Sequence, residues 1–113
     1  MRVLGVGLAT LDIINKVTGY PLEDEEIRAL SQRRARGGNA TNTLVILSQL
    51  NHSCSWAGVL PREPDAELVL ADLRRYRIQL DYCSRPQQGK LPTSYINLSQ
   101  ATGSRSIVHY RDM

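Results

Sequence analysis

The apolar positions of this chain follow two rhythms. Val3 to Leu8 is a short apolar run with Gly7 near its end, the pattern of a buried strand. Asp12 to Val17 alternates less cleanly and runs into the turn signal TGYP. Ile27 to Arg36 alternates through Ile27, Ala29, Arg34 and Arg36, which predicts a strand with one wet face. After Gly37 and Gly38 the period lengthens to that of a helix. Asn39 is the expected N-cap, and Ala40, Leu44, Val45 and Leu47 form the apolar stripe. Ser53 to Val59 reads as a second core strand. PREPDAELVLADLRRY is the clearest helix: Pro64 suits its first turn, and Asp65 and Glu67 suit its positive end. Ala66, Val69, Leu70, Leu73 and Tyr76 recur there at helical spacing. Gln79 to Cys83 reads as a third core strand. Thr93 to Leu98 and Ser106 to Tyr110 alternate around QATGSR and predict a hairpin.

Strand, helix, strand, helix, strand implies an α/β core with parallel pairing and right-handed crossovers. The ribbons 12–17, 27–36 and 93–110 do not share that rhythm. They are expected to form a separate small antiparallel sheet.

Length and charge narrow the classes. The chain has 113 residues, one domain's worth, and a net charge of +3 carried mostly by arginine. That charge is too diffuse to call for nucleic acid. The chain contains no run of eighteen apolar residues, so no membrane span is expected. MRVLGVGLATLDII has one basic residue and no small-residue cleavage site, and reads as a first strand rather than a secretory signal. A cytoplasmic location follows as the expectation. Cys54 and Cys83 are then reduced thiols, and the sequons at Asn39, Asn51 and Asn97 are coincidental.

The candidate chemistry is concentrated in RRARGGNATN. At a helix mouth, backbone N–H groups are unpaired and glycine permits close approach. Asn39 and Asn42 stand three residues apart and share a face there. An amide both donates and accepts, which suits sugar hydroxyls better than phosphate. A glycine turn with a helix cap accounts for the same residues. Asp12 lies just past the first strand, at the edge where ligands of open α/β sheets bind, and a strand-ending surface carboxylate is its other reading. Asp24 sits in the acidic stretch PLEDEEIR, where a solvated loop charge is the simpler reading. GVGLAT lacks the third glycine of a dinucleotide loop and continues as strand. Arg33, Arg34 and Arg36 could bind phosphate or nucleic acid, but with little aromatic interleaving a solvated face or a blunted sheet edge fits better. Arg105 follows the Gly-Ser turn of the hairpin. His52 and His109 have no partner at metal-ligand spacing.

GLATLDIINKVTGYPLEDEEIRALSQRRARGGNATNTLVILSQL, with GSRSIVHYRD near the end, resembles the N-terminal part of the pfkB/ribokinase family of carbohydrate kinases, and within it the ketohexokinase branch. The resemblance runs in register along essentially the whole chain. It implies the N-terminal part of a ribokinase-like parallel-sheet core carrying an inserted small β-sheet lid, or β-clasp, made of the three ribbons. It implies ATP-dependent phosphorylation of a ketose, fructose to fructose 1-phosphate, with another sugar or nucleoside as the near alternative. Asp12, Gly38, Asn39 and Asn42 would bind sugar hydroxyls. Asp24 would reach the sugar of its own subunit or of a partner, and Arg105 would contact ATP. Mg2+ and a monovalent cation are implied with the ATP, and a homodimer through the lid. The family's second signature, a glycine-rich anion hole with the catalytic base, has no counterpart in residues 1–113. The chain is therefore expected to carry the sugar-binding half and to be inactive alone, or to act as a non-catalytic form that only dimerises. PREPD stands where many relatives have glycine-rich acidic sequence, and Asn51 where glycine is common; asparagine tolerates the same left-handed geometry.

Overall fold

A computed structural model describes residues 1–112. In chain order the elements are β1 (Arg2–Val6), β2 (Thr10–Val17), β3 (Ser31–Gly37), α1 (Asn39–Gln49), β4 (Ser53–Ala57), α2 (Pro64–Arg75), β5 (Thr93–Ser99) and β6 (Arg105–Tyr110). They form two sheets. β1 and β4 pair in parallel as the core sheet, and β3-β2-β5-β6 make a four-stranded sheet beside it. This is an α/β core with a small second sheet beside it, the core-and-lid arrangement expected from the sequence.

The lid sheet is mixed rather than antiparallel. β2 pairs antiparallel with β3, and β5 with β6, but β2 and β5 run parallel. The reason is connectivity. β3 follows β2 through the loop 18–30 and β6 follows β5 through a short turn, whereas β5 returns only after the chain has crossed the core, and a crossover delivers a parallel strand.

The helices bury the stripes their periodicity predicts. Val69, Leu73 and Ala66 of α2 are fully buried with Leu44 of α1 and with Trp56, Leu60, Leu11 and Leu91. The α2 start is held by side chains. Glu63 is the N-cap and accepts from the Asp65 N–H at 2.9 Å. Its other oxygen accepts from the Leu91 N–H at 2.8 Å and pairs with Lys90. Burial pushes the Glu63 carboxyl up, but these donors override it and hold it below its ordinary value.

Three local expectations are corrected. The helix start lies one residue earlier, because Gly38 is the N-cap and Asn39 is the first helical residue, with no side-chain capping bond. Gly38 adopts φ 105°, ψ 130°, a backbone that asparagine would resist, so the glycine takes the cap position. The expected strand over 79–83 is reduced to single bridges, Ser55 to Gln79 and Val59 to Ser84. Arg77 enters at φ 60°, and a turn closed by the Cys83 N–H on the Leu80 carbonyl pulls the chain off the ladder. The expected strand over 27–36 begins only at Ser31, where the ladder ends opposite Lys16. Beyond that point β2 and the residue after it turn to the 93–110 hairpin, through Gln100 N–H to Val17 and Ala101 N–H to Thr18.

Candidate functional site

The two sheets meet at a cleft of about 560 Å³. That is within the size range of small-molecule sites. The turn after β1 and the mouth of α1 form one wall, through Val6, Gly7, Leu8, Gly38, Asn39, Ala40 and Asn42. The lid sheet forms the other, through Thr10, Asp12, Ser94, Ile96, Arg105 and Ile107. Five of the six sequence-nominated residues therefore line one cleft. Asp24 does not. It sits at φ 63° in the exposed segment between β2 and β3, outside the cleft of its own chain.

Strand parity sets the lid wall. Asp12, Ser94 and His109 are cross-strand partners, so they form one row on one face. Ile14, Ile96 and Ile107 form the next row, and Lys16, Leu98 and Arg105 the one after. Asp12 has one oxygen engaged: the Thr10 hydroxyl donates to Oδ1 at 3.0 Å. Oδ2 lies over Gly37, where a Cβ would stand 2.5 Å from it. The carboxylate is thus oriented by Thr10 and accommodated by Gly37, and it presents an acceptor to the cleft. Ser94 next to it shares a 2.9 Å hydrogen bond with His109 Nδ1.

The α1 wall offers donors. No acidic residue occupies the first turn of α1, and no side chain caps it. Thr41 is buried, and its hydroxyl donates to the Gly37 and Gly38 carbonyls at 2.9 and 3.1 Å. An acceptor-bearing lid wall facing a donor-bearing helix mouth suits a polyhydroxylated ligand, whose hydroxyls do both.

Arg36 departs from the expectation for its cluster. A solvated face was expected for Arg33, Arg34 and Arg36, yet the Arg36 side chain is only 9% exposed and is ion-paired with Asp72 at 2.7 Å. Arg34 reaches Asp65 at 2.6 Å. The signal was present as two arginines at i, i+2 on a strand and two aspartates seven apart on a helix. Each pair marks one face of its element. Asp65 is held below its ordinary value, chiefly by Lys90 at 2.7 Å and also by Arg34. Cys54 and Cys83 are free, and burial pushes both thiols up, away from reactivity.

The sequence profile of the pfkB family of carbohydrate kinases matches residues 2–112. A ketohexokinase of Mus musculus is 40% identical over 109 residues, which cover 96% of this chain and 37% of that protein. Among solved structures, a ribokinase of Arabidopsis thaliana complexed with ribose and ATP aligns with a TM-score of 0.84 at 23% identity, over 96% of this chain and 35% of its own. A ribokinase of Cryptococcus neoformans var. grubii serotype A in complex with ADP aligns with a TM-score of 0.82 at 18% identity, over 96% and 34%. The chain spans little more than a third of the length of these proteins.

Proposed function

Because the chain belongs to the pfkB family of carbohydrate kinases, we propose that it is the sugar-binding part of a ketose kinase, with fructose as substrate and ATP as phosphoryl donor. The observation that carries this reading is the meeting of Asp12, Gly38, Asn39 and Asn42 on one cleft. Asp12 accepts from one or two sugar hydroxyls. Asn42 and the α1 mouth donate to their neighbours, and Asn39 adds a second amide. Gly38 lets the Leu8 carbonyl pack against the helix cap, and it borders the cleft itself.

Arg105 is the cation of the lid wall, and it also borders a second hollow on the same sheet face, with Asp12, Ile14 and Arg33. It fits a polyphosphate. ATP would bind with Mg2+ and would supply the phosphoryl group; Arg105 would neutralise part of its charge beside the sugar. Among the described residues no group of three or more His, Cys, Asp or Glu side chains is placed to hold a cation; on this reading Mg2+ would be held mainly by the ATP phosphates. The base that removes the hydroxyl proton belongs, on this reading, to sequence outside residues 1–113.

The homodimer of this reading is built through the lid. All six residues of β6 are exposed, and Tyr95 and Val108, cross-strand partners, are 49% and 71% exposed. A second lid sheet would cover them, and it would bring Asp24 to the neighbouring cleft. The reading places the protein in the cytoplasm, where ATP is supplied. No helix among the described residues is long and apolar enough to cross a membrane.

Isothermal titration of the complete gene product with fructose, ribose and adenosine tests the substrate. Fructose is expected to bind tightest; a preference for ribose or adenosine would replace the ketose. In the same assay Asn42→Ala is expected to weaken fructose binding by about 1–3 kcal/mol, the usual cost of a lost polar contact. Asp12→Asn should cost more, because a charge-assisted contact is about twice as strong as a neutral one. Equal affinities of the two variants would remove the role given to Asp12.

A further inference from the structure

We infer that Arg36 is a positioning residue of the sugar site, which fixes the Asn42 side chain as a hydrogen-bond donor into the cleft. The inference rests on the sugar-site reading above and adds to it a residue that does not touch the ligand. Arg36 is the penultimate residue of β3, and its guanidinium reaches three side chains on two helices. Nε pairs with Asp72 Oδ2 of α2 at 2.7 Å. Nη1 donates to Thr41 Oγ1 at 2.8 Å and to Asn42 Oδ1 at 2.8 Å.

The contact with Asn42 decides the polarity of the amide. An amide in a cleft is ambiguous, because it can present its oxygen or its nitrogen. Arginine has donors only and takes the Asn42 oxygen. The Nδ2 hydrogens are left as the part of the side chain without a protein partner among the described residues, on a residue that lines the cleft. Asp12 across the cleft is acceptor-only. The site therefore offers a fixed acceptor on the lid wall and a fixed donor on the helix wall. A ligand must set against them one hydroxyl that donates and another that accepts.

Helix stability alone would not select this arrangement. A cation at a helix N-terminus faces the positive end of the macrodipole and is unfavourable there. α1 carries no acidic residue in its first turn to offset it. The compensation comes from Asp72, on a different helix. The side chain is nearly buried, and its planar fork serves three acceptors in fixed directions, which a lysine could not do. Such a fork is suited to holding a neighbour's orientation.

The test is a double-mutant cycle in the complete gene product, with fructose and ATP affinities and Tm as readouts. Asn42→Ala should weaken fructose about tenfold. Arg36→Lys keeps the charge opposite Asp72 and loses the fork. It should weaken fructose severalfold and leave ATP affinity unchanged. Combined, the two changes should bind fructose no more weakly than Asn42→Ala alone, since Arg36 acts through Asn42. Wild-type fructose affinity in Arg36→Lys, effects that multiply in the double variant, or a parallel fall in ATP affinity would each overturn the inference while the sugar-site reading stands. Wild-type affinity in Asn42→Ala would overturn the reading itself. If Arg36→Lys fails to fold, Asn42→Asp decides. It keeps an oxygen for Arg36 but replaces the donor with an acceptor. It should retain Tm and lose fructose about tenfold; unchanged affinity would show that no donor is needed there.

Discussion

Gly38→Ala is expected to unfold the mouth of α1 and lower Tm by about 10 °C or more, whereas Gly37→Ala folds and loses sugar affinity. The adjacent glycines do different work. Gly38 sits at φ 105°, ψ 130°, a conformation that L side chains rarely adopt. A Cβ there would fall on the Leu8 carbonyl oxygen, and Leu8 is backbone that cannot swing aside. Strain of that kind costs about 1–3 kcal/mol, and overpacking against fixed atoms adds about as much again. Set against a typical net stability of about 5–15 kcal/mol, the sum is large. Gly37 has an ordinary backbone. Its added Cβ would meet Asp12 Oδ2 and Thr10 Oγ1, both at 2.5 Å. Those are side-chain ends and can move, so the protein survives, but the Asp12 carboxylate is displaced from the cleft. Thermal unfolding and fructose titration of both variants check the contrast. A Gly38→Ala protein with wild-type Tm would show that the helix mouth relaxes freely.

The same glycines show what the sequence could convey. That Gly37 and Gly38 mark a close approach was legible; what approaches was not. The protein's own Leu8 carbonyl and Asp12 carboxylate lie against them, from segments 25 or more residues away in sequence. The α2 helix was legible because every signal was local: Pro64, Asp65 and the repeat of Ala66, Val69, Leu70 and Leu73. The start of α1 was misplaced by one residue because its cap is a backbone conformation, not a side chain. The strand over 79–83 failed because a short apolar run does not reveal the turn that interrupts it. Arg36 was misread because an isolated arginine is usually solvated, and its partner Asp72 lies 36 residues downstream on another element. Asp12 and Asn42 were nominated jointly only through the family resemblance, since the spacing between them says nothing of distance in space.

The 113-residue chain by itself is expected to show no fructose phosphorylation and to associate as its concentration rises. Packing gives the first argument. A parallel sheet is stable when both faces are covered. β1 turns Val3 and Gly5 toward α1, where a Cβ on Gly5 would strike Leu44. The alternate residues, Leu4 and Val6, face away and are 55% and 73% exposed. Ile46 and Leu50 of α1 are 58% and 63% exposed. Apolar side chains concentrated on β1 and α1 in this way drive association unless further sequence covers them. Chemistry gives the second argument. Phosphoryl transfer is positioning and charge stabilisation, and the cleft holds one cation, Arg105, and one carboxylate, Asp12, which Thr10 already orients toward hydroxyls. Asp112 lies instead beside the Lys90 N–H, at 3.3 Å. Sedimentation velocity across a concentration series, with an ADP-release assay on the same samples, measures both outcomes. A monomer that unfolds cooperatively and turns over fructose would mean that the base lies within these residues and that the open face of β1 needs no cover.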